Sequence, residues 1–408
     1  MKVCVFTLGC KVNQYESDGL MNELIKRGHE VTGELEPADV YVLNTCAVTS
    51  LAERKSRQLV TRARRKNPNA RVIVMGCAGQ KSAKAFVEKG VSLVRGNAGK
   101  LAVCDMLENS GCAVDPLPLT YESGFLARPE RVRTYVKVQD GCNNFCSYCI
   151  VPYLRGRSRS RELNEAVEEI MSVEGEVVVT GIDISDYGIK EGKTLADLMR
   201  ALAGYKGRLR LGSLEVRAIT PEFLDSVKAI RGFCPHFHLS LQSGSDSVLK
   251  SMNRHYTTAE HLARVELIRS YFPDAAITTD VIVGFSTESE QEFNDSMDFL
   301  RTVRFADVHV FPYSVREGTA AAKLKPLDPA EVERRRDIAL GVKEELKSTF
   351  LTGMVGKTVE VLIEEQTKDG FVGYSKNYVR VLTDRVCEIG KVYSLTVTDA
   401  LCDGVRAK

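Results

Sequence analysis

Short apolar runs alternate with amphipathic helical stretches over most of this chain of 408 residues. In the first part, the runs VCVFTLG, ADVYVLNT and ARVIVMG are continuously apolar, which is typical of parallel strands buried on both faces. The stretches NQYESDGLMNELIKRG and AERKSRQLVTRARRKNP between them have helical patterns, closed by Gly28 and Pro68. The alternation favours an α/β fold, and we predict a small doubly wound α/β domain over residues 1–112.

The rest of the chain divides into three further segments. Residues 113–133 are rich in proline, glycine and polar side chains and are expected to form a linker. Residues 134–350 hold six strand–helix units, too few for a closed eight-stranded barrel, and predict a partial (βα)6 barrel of the TIM type. Residues 351–408 are β-rich with turns at KDG and EIG, which indicates a small antiparallel β-barrel of the OB-like kind.

The bulk composition narrows the class of protein. No apolar run reaches the length of a membrane span, and the N-terminus lacks the pattern of a signal peptide, so we expect a cytoplasmic protein without a membrane partner. The formal net charge is only +2, so any nucleic-acid contact must come from local patches. Twelve cysteines in a reducing compartment point to metal or iron–sulfur ligation rather than to disulfides.

Three cysteines stand in C-x3-C-x2-C spacing after the first predicted strand of the second domain: Cys142, Cys146 and Cys149. In βα folds, ligands collect at the carboxyl ends of the strands. A structural zinc site needs four ligands, and no fourth ligand stands nearby. Three thiolates on a four-iron cluster would leave one iron open to an outside ligand. The motif therefore predicts a catalytic 4Fe–4S site, with a zinc or redox-silent site as the alternative.

A second set of three cysteines is distributed over the first domain. Cys10, Cys46 and Cys77 each follow a predicted parallel strand. Because the carboxyl edge of such a sheet gathers distant residues into one crevice, the three thiols are expected to converge there. The sequence therefore predicts a second three-thiolate site, and the alternative is three isolated buried cysteines.

Taken together, the motifs resemble those of the radical S-adenosylmethionine (radical SAM) methylthiotransferases. The resemblance rests on both cysteine trios and on these stretches: TLGCKVNQYES, LNTCAVT, GCNNFCSYCIVPYLRGRSRSR, HLSLQSGSDSVLKSMNRHYT, YSVREGTAA and GYSKNYVRV. It covers nearly the whole chain. It implies an N-terminal three-cysteine domain, a radical SAM barrel and a C-terminal RNA-binding domain of the TRAM type.

Within that family, Lys11 and Val12 make GCKVNQYES most similar to the branch that acts on N6-threonylcarbamoyladenosine (t6A) at position 37 of tRNA, beside the anticodon. The resemblance then implies methylthiolation of C2 of that adenine. The alternatives are the same chemistry on isopentenyladenosine (i6A) of tRNA or on a ribosomal-protein side chain. A more distant alternative is an iron–sulfur RNA-binding protein without catalysis.

The cofactors implied by the resemblance are two 4Fe–4S clusters and S-adenosylmethionine (SAM). The cluster on the C-x3-C-x2-C motif would bind SAM and cleave it to a 5′-deoxyadenosyl radical, which takes hydrogen from adenine C2. The auxiliary cluster of the first domain would deliver sulfur, which a second SAM methylates. The implied partners are tRNA and an electron donor protein of the flavodoxin or ferredoxin type, and not DNA.

The other strand ends of the barrel offer candidate cofactor contacts. These are Gly181, Ser213, Glu215, Gln242, Ser243 and Gly284. A glycine at a strand end would let the backbone approach the methionine amino group closely. A carboxylate such as that of Glu215 would accept ribose hydroxyls or the ammonium. Each of these residues suits a turn or a cap equally well. Asp183 stands where the family commonly has asparagine.

The first candidate RNA contact is a set of alternating arginines after the third cysteine of the motif: Arg155, Arg157, Arg159 and Arg161. In an extended segment, alternate residues lie on one side, so these guanidiniums would form a strip able to hold phosphates. The alternative is a solvated basic loop.

The second candidate RNA contact lies in one predicted hairpin of the terminal barrel. Its residues are Tyr374, Lys376, Tyr378 and Arg380. Aromatic side chains with interleaved cations on a small barrel stack bases and hold the backbone of single-stranded nucleic acid. The aromatic residues suit the core of the barrel about as well.

Overall fold

The first region forms a parallel sheet between two layers of helices. The computed structural model describes residues 1–127 and 131–408, so residues 128–130 of the predicted linker lie outside the described residues. The elements of this region are β1 (Lys2–Thr7), α1 (Lys11–Lys26), β2 (Glu30–Thr32), β3 (Val40–Thr45), α2 (Ser50–Lys66), β4 (Arg71–Gly76), α3 (Cys77–Glu88), β5 (Leu93–Arg95) and β6 (Gly111–Ala113). The strands are parallel throughout, in the order β2-β1-β3-β4-β5-β6.

The strands of this sheet bury both faces, as their continuous apolar runs predict. Side chains alternate across a strand, so Val3 and Val5 of β1 pack with Tyr15 of α1 on one face. Cys4 lies between them in the chain and belongs to the opposite core, which includes Leu59 of α2. The doubly wound α/β fold predicted for this region is therefore confirmed.

The middle region is an open barrel of parallel strands covered by helices. Its elements are β7 (Arg133–Lys137), β8 (Gln139–Asp140), α4 (Val151–Arg155), β9 (Arg159–Ser160), α5 (Leu163–Ser172), β10 (Glu176–Thr180), α6 (Leu195–Ala201), β11 (Arg208–Leu211), β12 (Ser213–Leu214), α7 (Pro221–Lys228), β13 (His236–Leu239), α8 (Asp246–Ser251), α9 (Thr258–Tyr271), β14 (Ala276–Val283), α10 (Glu290–Val303), β15 (Asp307–Pro312) and α11 (Pro329–Thr352). The short strands β8 and β9 pair with each other outside the main sheets.

Seven strands form the wall of this barrel, and β11 and β12 follow each other so closely in the chain that they count as one of its six strand positions. One sheet has the order β7-β10-β11 and the other β12-β13-β14-β15, and all pairs are parallel. The chain passes from the first sheet to the second at Gly212, between β11 and β12. The partial (βα)6 barrel predicted from six strand–helix units is therefore confirmed.

The last region is a closed five-stranded barrel. Its strands are β16 (Thr358–Thr367), β17 (Gly370–Ser375), β18 (Arg380–Thr383), β19 (Val392–Ala400) and β20 (Val405–Ala407), in the order β16-β17-β18-β20-β19. The pairs are antiparallel except β18 with β20, which are parallel. Val361, Val381 and Val397 are among its buried core residues. Across the described ranges, no helix is both long enough and apolar enough to span a bilayer.

Candidate active site

The three cysteines of the first region lie at neighbouring strand ends. β1, β3 and β4 are adjacent in the sheet. Cys46 and Cys77 come directly after β3 and β4, whereas β1 ends at Thr7, so Cys10 lies at the end of a short loop and caps α1. All three lie at the carboxyl edge of the sheet, beside the point between β1 and β3 where the strand order reverses.

These three thiols lie close to one another. A Cβ built on Gly9, whose φ is +115°, would come within 2.9 Å of the Cys46 Cβ, so the glycine lets the first loop lie against Cys46. Burial, with smaller contributions from Cys77 and Cys10, raises the pKa of the Cys46 thiol to about 11. The Asn97 side-chain amide donates a hydrogen bond to the Cys77 Sγ at 3.5 Å.

A buried network of charges lies beside these thiols. Its cations are Lys100, Lys137, Arg155 and Arg159, and its carboxylates are Glu16 and Asp140. Although burial opposes it, Glu16 and Asp140, followed by Cys77 and Cys10, raise the pKa of the Arg155 guanidinium. A surplus of buried positive charge is costly unless it is balanced. Three thiolates holding a 4Fe–4S core carry net negative charge, so such a cluster fits the residues present.

The second cysteine trio lies on the loop between β8 and α4. The Cys142 N–H donates to the Gly156 carbonyl at 3.1 Å, and the Cys149 N–H donates to the Cys146 carbonyl at 2.9 Å. The Ser147 N–H donates to the backbone carbonyl just after α8 at 2.9 Å, which ties the loop to the barrel. The loop therefore has a backbone fixed at both ends, with its thiols at the carboxyl ends of the barrel strands.

A cavity of about 150 Å³ opens between this loop and the strand ends, and all three cysteines line it. Its polar lining residues are Asn144, Asp183, Ser213, Glu215, Ser240, Gln242 and Arg254. The Arg254 guanidinium donates to the Cys146 Sγ at 3.1 Å and pairs with the Glu215 carboxylate at 2.8 Å. A cation at this distance stabilises a thiolate, so the site suits an anionic cluster. The remaining polar groups are of the kinds that bind the amino, carboxylate and ribose groups of SAM.

Neither trio has the close spacing of a single-ion site. Over residues 1–127 and 131–408, the only cluster of potential ligand atoms that all lie within 4.8 Å of one another is formed by His238, Asp280 and His309. A tetrahedral zinc ion with sulfur ligands at about 2.3 Å holds those sulfurs about 4 Å apart. The wider spacing of the cysteine trios agrees with a polynuclear iron–sulfur core and disfavours the zinc alternative.

The six predicted cofactor contacts divide into two groups. Ser213, Glu215 and Gln242 line the cluster cavity. The other three take part in packing. A Cβ on Gly181 would lie 2.9 Å from the backbone oxygen of the neighbouring strand, and one on Gly284 would collide with a valine of α11. The Ser243 hydroxyl is hydrogen-bonded within the protein at 3.2 Å. These small residues are explained by close contacts between elements, and the structure does not bring them to the cavity.

A larger cavity of about 480 Å³ lies inside the open barrel and reaches the terminal barrel. Its wall includes the alternate, inward-facing residues His236, His238, Thr278, Asp280, Asp307 and His309 of β13, β14 and β15. Lys11, directly after Cys10, lines it from the first region. Ser213 lines both this cavity and the cluster cavity, so the two adjoin.

The prediction that four arginines form an exposed strip is wrong for three of them. Arg155 ends the short helix α4, and Gly156, with φ of +80°, turns the chain, so the segment is not extended. Arg155 and Arg159 are buried in the charge network, and Arg161 pairs with the buried Glu169. Their charges are neutralised by the buried carboxylates of Glu16, Asp140 and Glu169, and these guanidiniums do not reach the surface where phosphates would bind. Arg157 is exposed and lies 4.3 Å from the centre of the Phe145 ring.

The aromatic residues of the β17–β18 hairpin face the open barrel and not solvent. The rings of Tyr374 and Tyr378 stack with centroids 5.0 Å apart. The Arg133 guanidinium lies 4.7 Å from the Tyr374 ring centre, and that of Arg210 lies 4.5 Å from the Tyr378 ring centre. These rings therefore pack against protein guanidiniums where the hairpin docks on β7 and β11, and both rings also line the large cavity.

The two cations of that hairpin have acidic partners. Lys376 pairs with Glu360 of β16, and Arg380 pairs with Asp403 at 3.2 Å. Arg380 lines the large cavity with Tyr374 and Tyr378, whereas Lys376 lies outside it.

Several side chains at the site carry no spacing signal in the sequence. Arg254 lies in the quoted motif HLSLQSGSDSVLKSMNRHYT, yet its contact with Cys146 depends on the fold. Asp183 follows β10 and bonds to Asn144 and Arg217 at 3.0 and 2.6 Å. Burial, and then the neighbouring Glu215, raise the pKa of Asp183 to about 6. A polar residue just past each barrel strand was the only signal that could have marked these positions.

Comparison with known proteins agrees with this arrangement. Residues 2–96 match an uncharacterised protein family, UPF0004, and residues 136–300 match the radical SAM superfamily. The threonylcarbamoyladenosine tRNA methylthiotransferase of Aquifex aeolicus is 36% identical, over 97% of this chain and 100% of its own length. A tRNA-2-methylthio-N(6)-dimethylallyladenosine synthase of Pelotomaculum thermopropionicum is 34% identical, over 98% of this chain and 95% of its own length.

A solved structure shows the same fold. A radical SAM methyltransferase from Kitasatospora setae, with cobalamin and a [4Fe-4S] cluster bound, is similar with a TM-score of 0.55 at 15% identity, covering 76% of this chain and 72% of that one. The open barrel and its three-cysteine loop thus define a radical SAM enzyme, a class that uses SAM and a 4Fe–4S cluster. Full-length similarity to the methylthiotransferases extends this to the first region as well, and the chain belongs to the radical SAM methylthiotransferase family.

Proposed function

We propose that this enzyme methylthiolates C2 of t6A at position 37 of tRNA, with one 4Fe–4S cluster on each cysteine trio. The observation that carries the proposal is that the large cavity is lined by the residue next to Cys10 and adjoins the cavity of the second trio. Lys11 stands next to Cys10 and lines the large cavity, and Ser213 joins that cavity to the one around Cys142, Cys146 and Cys149. A base held there lies between a radical source and a sulfur source.

The proposal divides the work among the three regions. Residues 1–112 hold the auxiliary cluster that delivers sulfur, residues 134–350 hold SAM and its cluster, and residues 351–408 are a TRAM domain that contacts RNA. SAM supplies both the radical and the methyl group, and a flavodoxin- or ferredoxin-like protein supplies the electron. When bound, the clusters and SAM provide the one-electron and group-transfer chemistry that no side chain can provide.

The chain's own residues position these groups and close the site. The fixed loop backbone holds three thiols around a cavity of about 150 Å³. Arg254 lies against Cys146 and is itself held by Glu215, so the cation stays beside the thiolate. Of the four buried cations, Lys100 lies near Cys77 and Arg155 lies near Cys77 and Cys10, where they balance the charge of the auxiliary site. The terminal barrel covers the far side of the large cavity with Tyr374 and Tyr378.

The choice of t6A over i6A has support from the relatives and from the cavity. Relatives named for threonylcarbamoyladenosine match this chain at 34–38% identity. The wall of the large cavity carries the polar side chains of His238, Thr278, Asp280 and His309, three of which are hydrogen-bonded or paired with one another. A polar N6 substituent suits such a wall better than a hydrocarbon does.

Two single-cysteine variants test the division of labour. The enzyme is reconstituted anaerobically with iron and sulfide and given SAM, a reductant and a stem-loop RNA that carries t6A. We expect Cys146→Ala to abolish both 5′-deoxyadenosine and methylthio product. We expect Cys46→Ala to form 5′-deoxyadenosine but no product. A Cys46→Ala enzyme with full product output would remove the auxiliary site from the mechanism.

The substrate is tested with nucleosides. In tRNA from a strain lacking the gene, we expect the 2-methylthio group to disappear from t6A and to remain on i6A. Loss from i6A alone would assign the enzyme to that substrate. Unchanged tRNA with an unmodified ribosomal protein would assign it to protein methylthiolation. A wild-type enzyme that forms no 5′-deoxyadenosine would indicate an iron–sulfur RNA-binding protein without radical chemistry.

A further inference from the structure

Lys11 is a cation without an ion-pair partner on the wall of the large cavity. Each acidic residue that lines this cavity has a partner within the protein: Asp307 pairs with Lys343 at 3.7 Å, Asp403 pairs with Arg380 at 3.2 Å, and Asp280 contacts the His238 ring at 3.2 Å. Within residues 1–127 and 131–408, no carboxylate lies within ion-pair distance of the Lys11 ammonium. Its side chain is exposed to the cavity.

The protein charges around Lys11 are mostly positive. Desolvation by the surrounding protein lowers the pKa of Lys11, the guanidiniums of Arg133 and Arg210 lower it further, and only Cys10, with a smaller effect, raises it. Arg133 and Arg210 have their own partners, Glu364 at 2.6 Å and Glu176 at 2.8 Å. An ammonium beside two guanidiniums makes this part of the wall a place where an anion is favoured.

We infer that Lys11 binds the carboxylate of the threonyl group of t6A and so selects this substrate over neutral N6-substituted adenosines. The inference rests on the proposed function, because it assumes that the modified base enters the large cavity. Of the two candidate nucleosides, t6A carries a carboxylate and a hydroxyl on its N6 substituent, and i6A carries only a hydrocarbon. The cavity, at about 480 Å³, is within the range of pockets that enclose small ligands.

The position of Lys11 agrees with the geometry of the reaction. In adenine, C2 and the carbon that bears N6 are both bonded to N1, so a substituent on N6 lies close to the carbon that receives sulfur. Lys11 directly follows Cys10 in the chain. A residue that binds the N6 substituent would therefore orient C2 toward the auxiliary site. Lysine carries a compact charge on a flexible stem, which suits a single carboxylate whose position depends on a rotatable chain.

The test compares two RNAs on each variant of the full-length, cluster-loaded enzyme. One stem-loop carries t6A, and the other carries its carboxamide, which has the same shape and no charge. For wild type, we expect kcat/KM to be about tenfold to a hundredfold higher with the acid, the range of a charge-assisted hydrogen bond. For Lys11→Met, we expect the two RNAs to react equally, with the carboxamide processed as by wild type. Lys11→Arg keeps the charge and should keep the preference.

Lys347 provides a matched control. It is a second lysine on the wall of the same cavity, on α11, and within the described part of the chain it also has no ion pair. Lys347→Met removes the same formal charge, and we expect it to retain the preference for the acid. A Lys11→Met enzyme with the wild-type preference, or a Lys347→Met enzyme without it, would overturn the inference.

The comparison remains interpretable when the variant loads less cluster. The ratio of the two RNAs is measured within one enzyme preparation, so it does not depend on the fraction that is active. Equilibrium binding of the same two RNAs without SAM gives a second readout, in which Lys11→Met should lose the difference between their dissociation constants. If wild type does not methylthiolate the t6A RNA at all, the proposed function fails. If wild type does and Lys11→Met still discriminates, only the role of Lys11 fails.

Discussion

Arg155 and Arg157 are two residues apart in the chain and have opposite environments. Arg155 is 2% exposed and bonds to Glu16, Asp140 and Asn13 through both terminal nitrogens of its guanidinium. Arg157 is exposed and has a single aromatic contact. The same residue type therefore supports the auxiliary site from inside at one position and faces solvent at the other.

This difference predicts the effects of two matched substitutions. Arg155→Met leaves two buried carboxylates with fewer partners and should lower the stability of the cluster-loaded protein by about 3 kcal/mol. Arg157→Met should change it by less than about 0.5 kcal/mol. Urea unfolding under anaerobic conditions measures both. In the metal-free protein the Arg155 effect should be smaller, because the remaining cations then exceed the nearby anions. Equal midpoints for both variants would contradict the assigned roles.

At the scale of elements, helix α9 contains a buried histidine that the chemistry does not use. His261 is fully buried, and its ring lies 6.1, 6.3 and 5.8 Å from the rings of Tyr256, Phe299 and Phe305. Burial, opposed by the nearby Leu239 backbone and reinforced by Arg254, lowers the pKa of His261 from 6.5 to about 4. The folded protein thus keeps this ring neutral where the unfolded chain would protonate it.

The consequence is a loss of stability in acid. Between about pH 6.5 and 4 the unfolded state binds the extra proton, so stability falls as pH falls through this window. From pH 7.5 to 5 the expected loss from His261 is about 2 kcal/mol. In His261→Leu this part of the slope should disappear, whatever its stability at neutral pH. Urea midpoints at several pH values check this, and an unchanged slope would mean that His261 is not buried as a neutral ring.

The elements that sequence patterns predicted well are the ones fixed by local rules. Continuous apolar runs identified β1, β3 and β4, and the order of the sheet then brings Cys10, Cys46 and Cys77 to one edge. The prediction of an exposed arginine strip was wrong because of contacts that form only in the folded protein. Arg155 was expected to contact phosphate, but it forms a buried ion pair with Glu16, which lies more than a hundred residues earlier in the chain. No local pattern contains that information.

The roles of the small residues at strand ends also could not be predicted from the sequence. Gly181 and Gly284 are where a cofactor contact was expected, and both are explained by neighbouring atoms that a Cβ would strike. Arg254 contacts Cys146 from a separate helix–loop segment, and its role depends on the fold. The cysteine positions were predictable because ligand spacing is a property of the chain, whereas the polar lining of a cavity is a property of the packed molecule.

At the scale of the whole molecule, three regions meet around one cavity. The first region contributes Lys11, the open barrel contributes the inward-facing residues of β13, β14 and β15, and the terminal barrel contributes Tyr374, Tyr378 and Arg380. The contacts of Arg133 and Arg210 with the two tyrosine rings fix the terminal barrel against the open barrel. With a formal net charge of +2, the chain offers no general attraction for RNA, so any RNA contact must come from local surfaces.

The measurement that tests the central claim most directly is the iron and sulfide content of three anaerobically reconstituted proteins. These are the wild type, a variant with Cys10, Cys46 and Cys77 changed to alanine, and a variant with Cys142, Cys146 and Cys149 changed to alanine. Two separate four-iron sites predict about eight iron and eight sulfide per wild-type chain and about four of each in either variant. A wild type that holds only about four, or a variant that keeps the full wild-type content, would contradict the account.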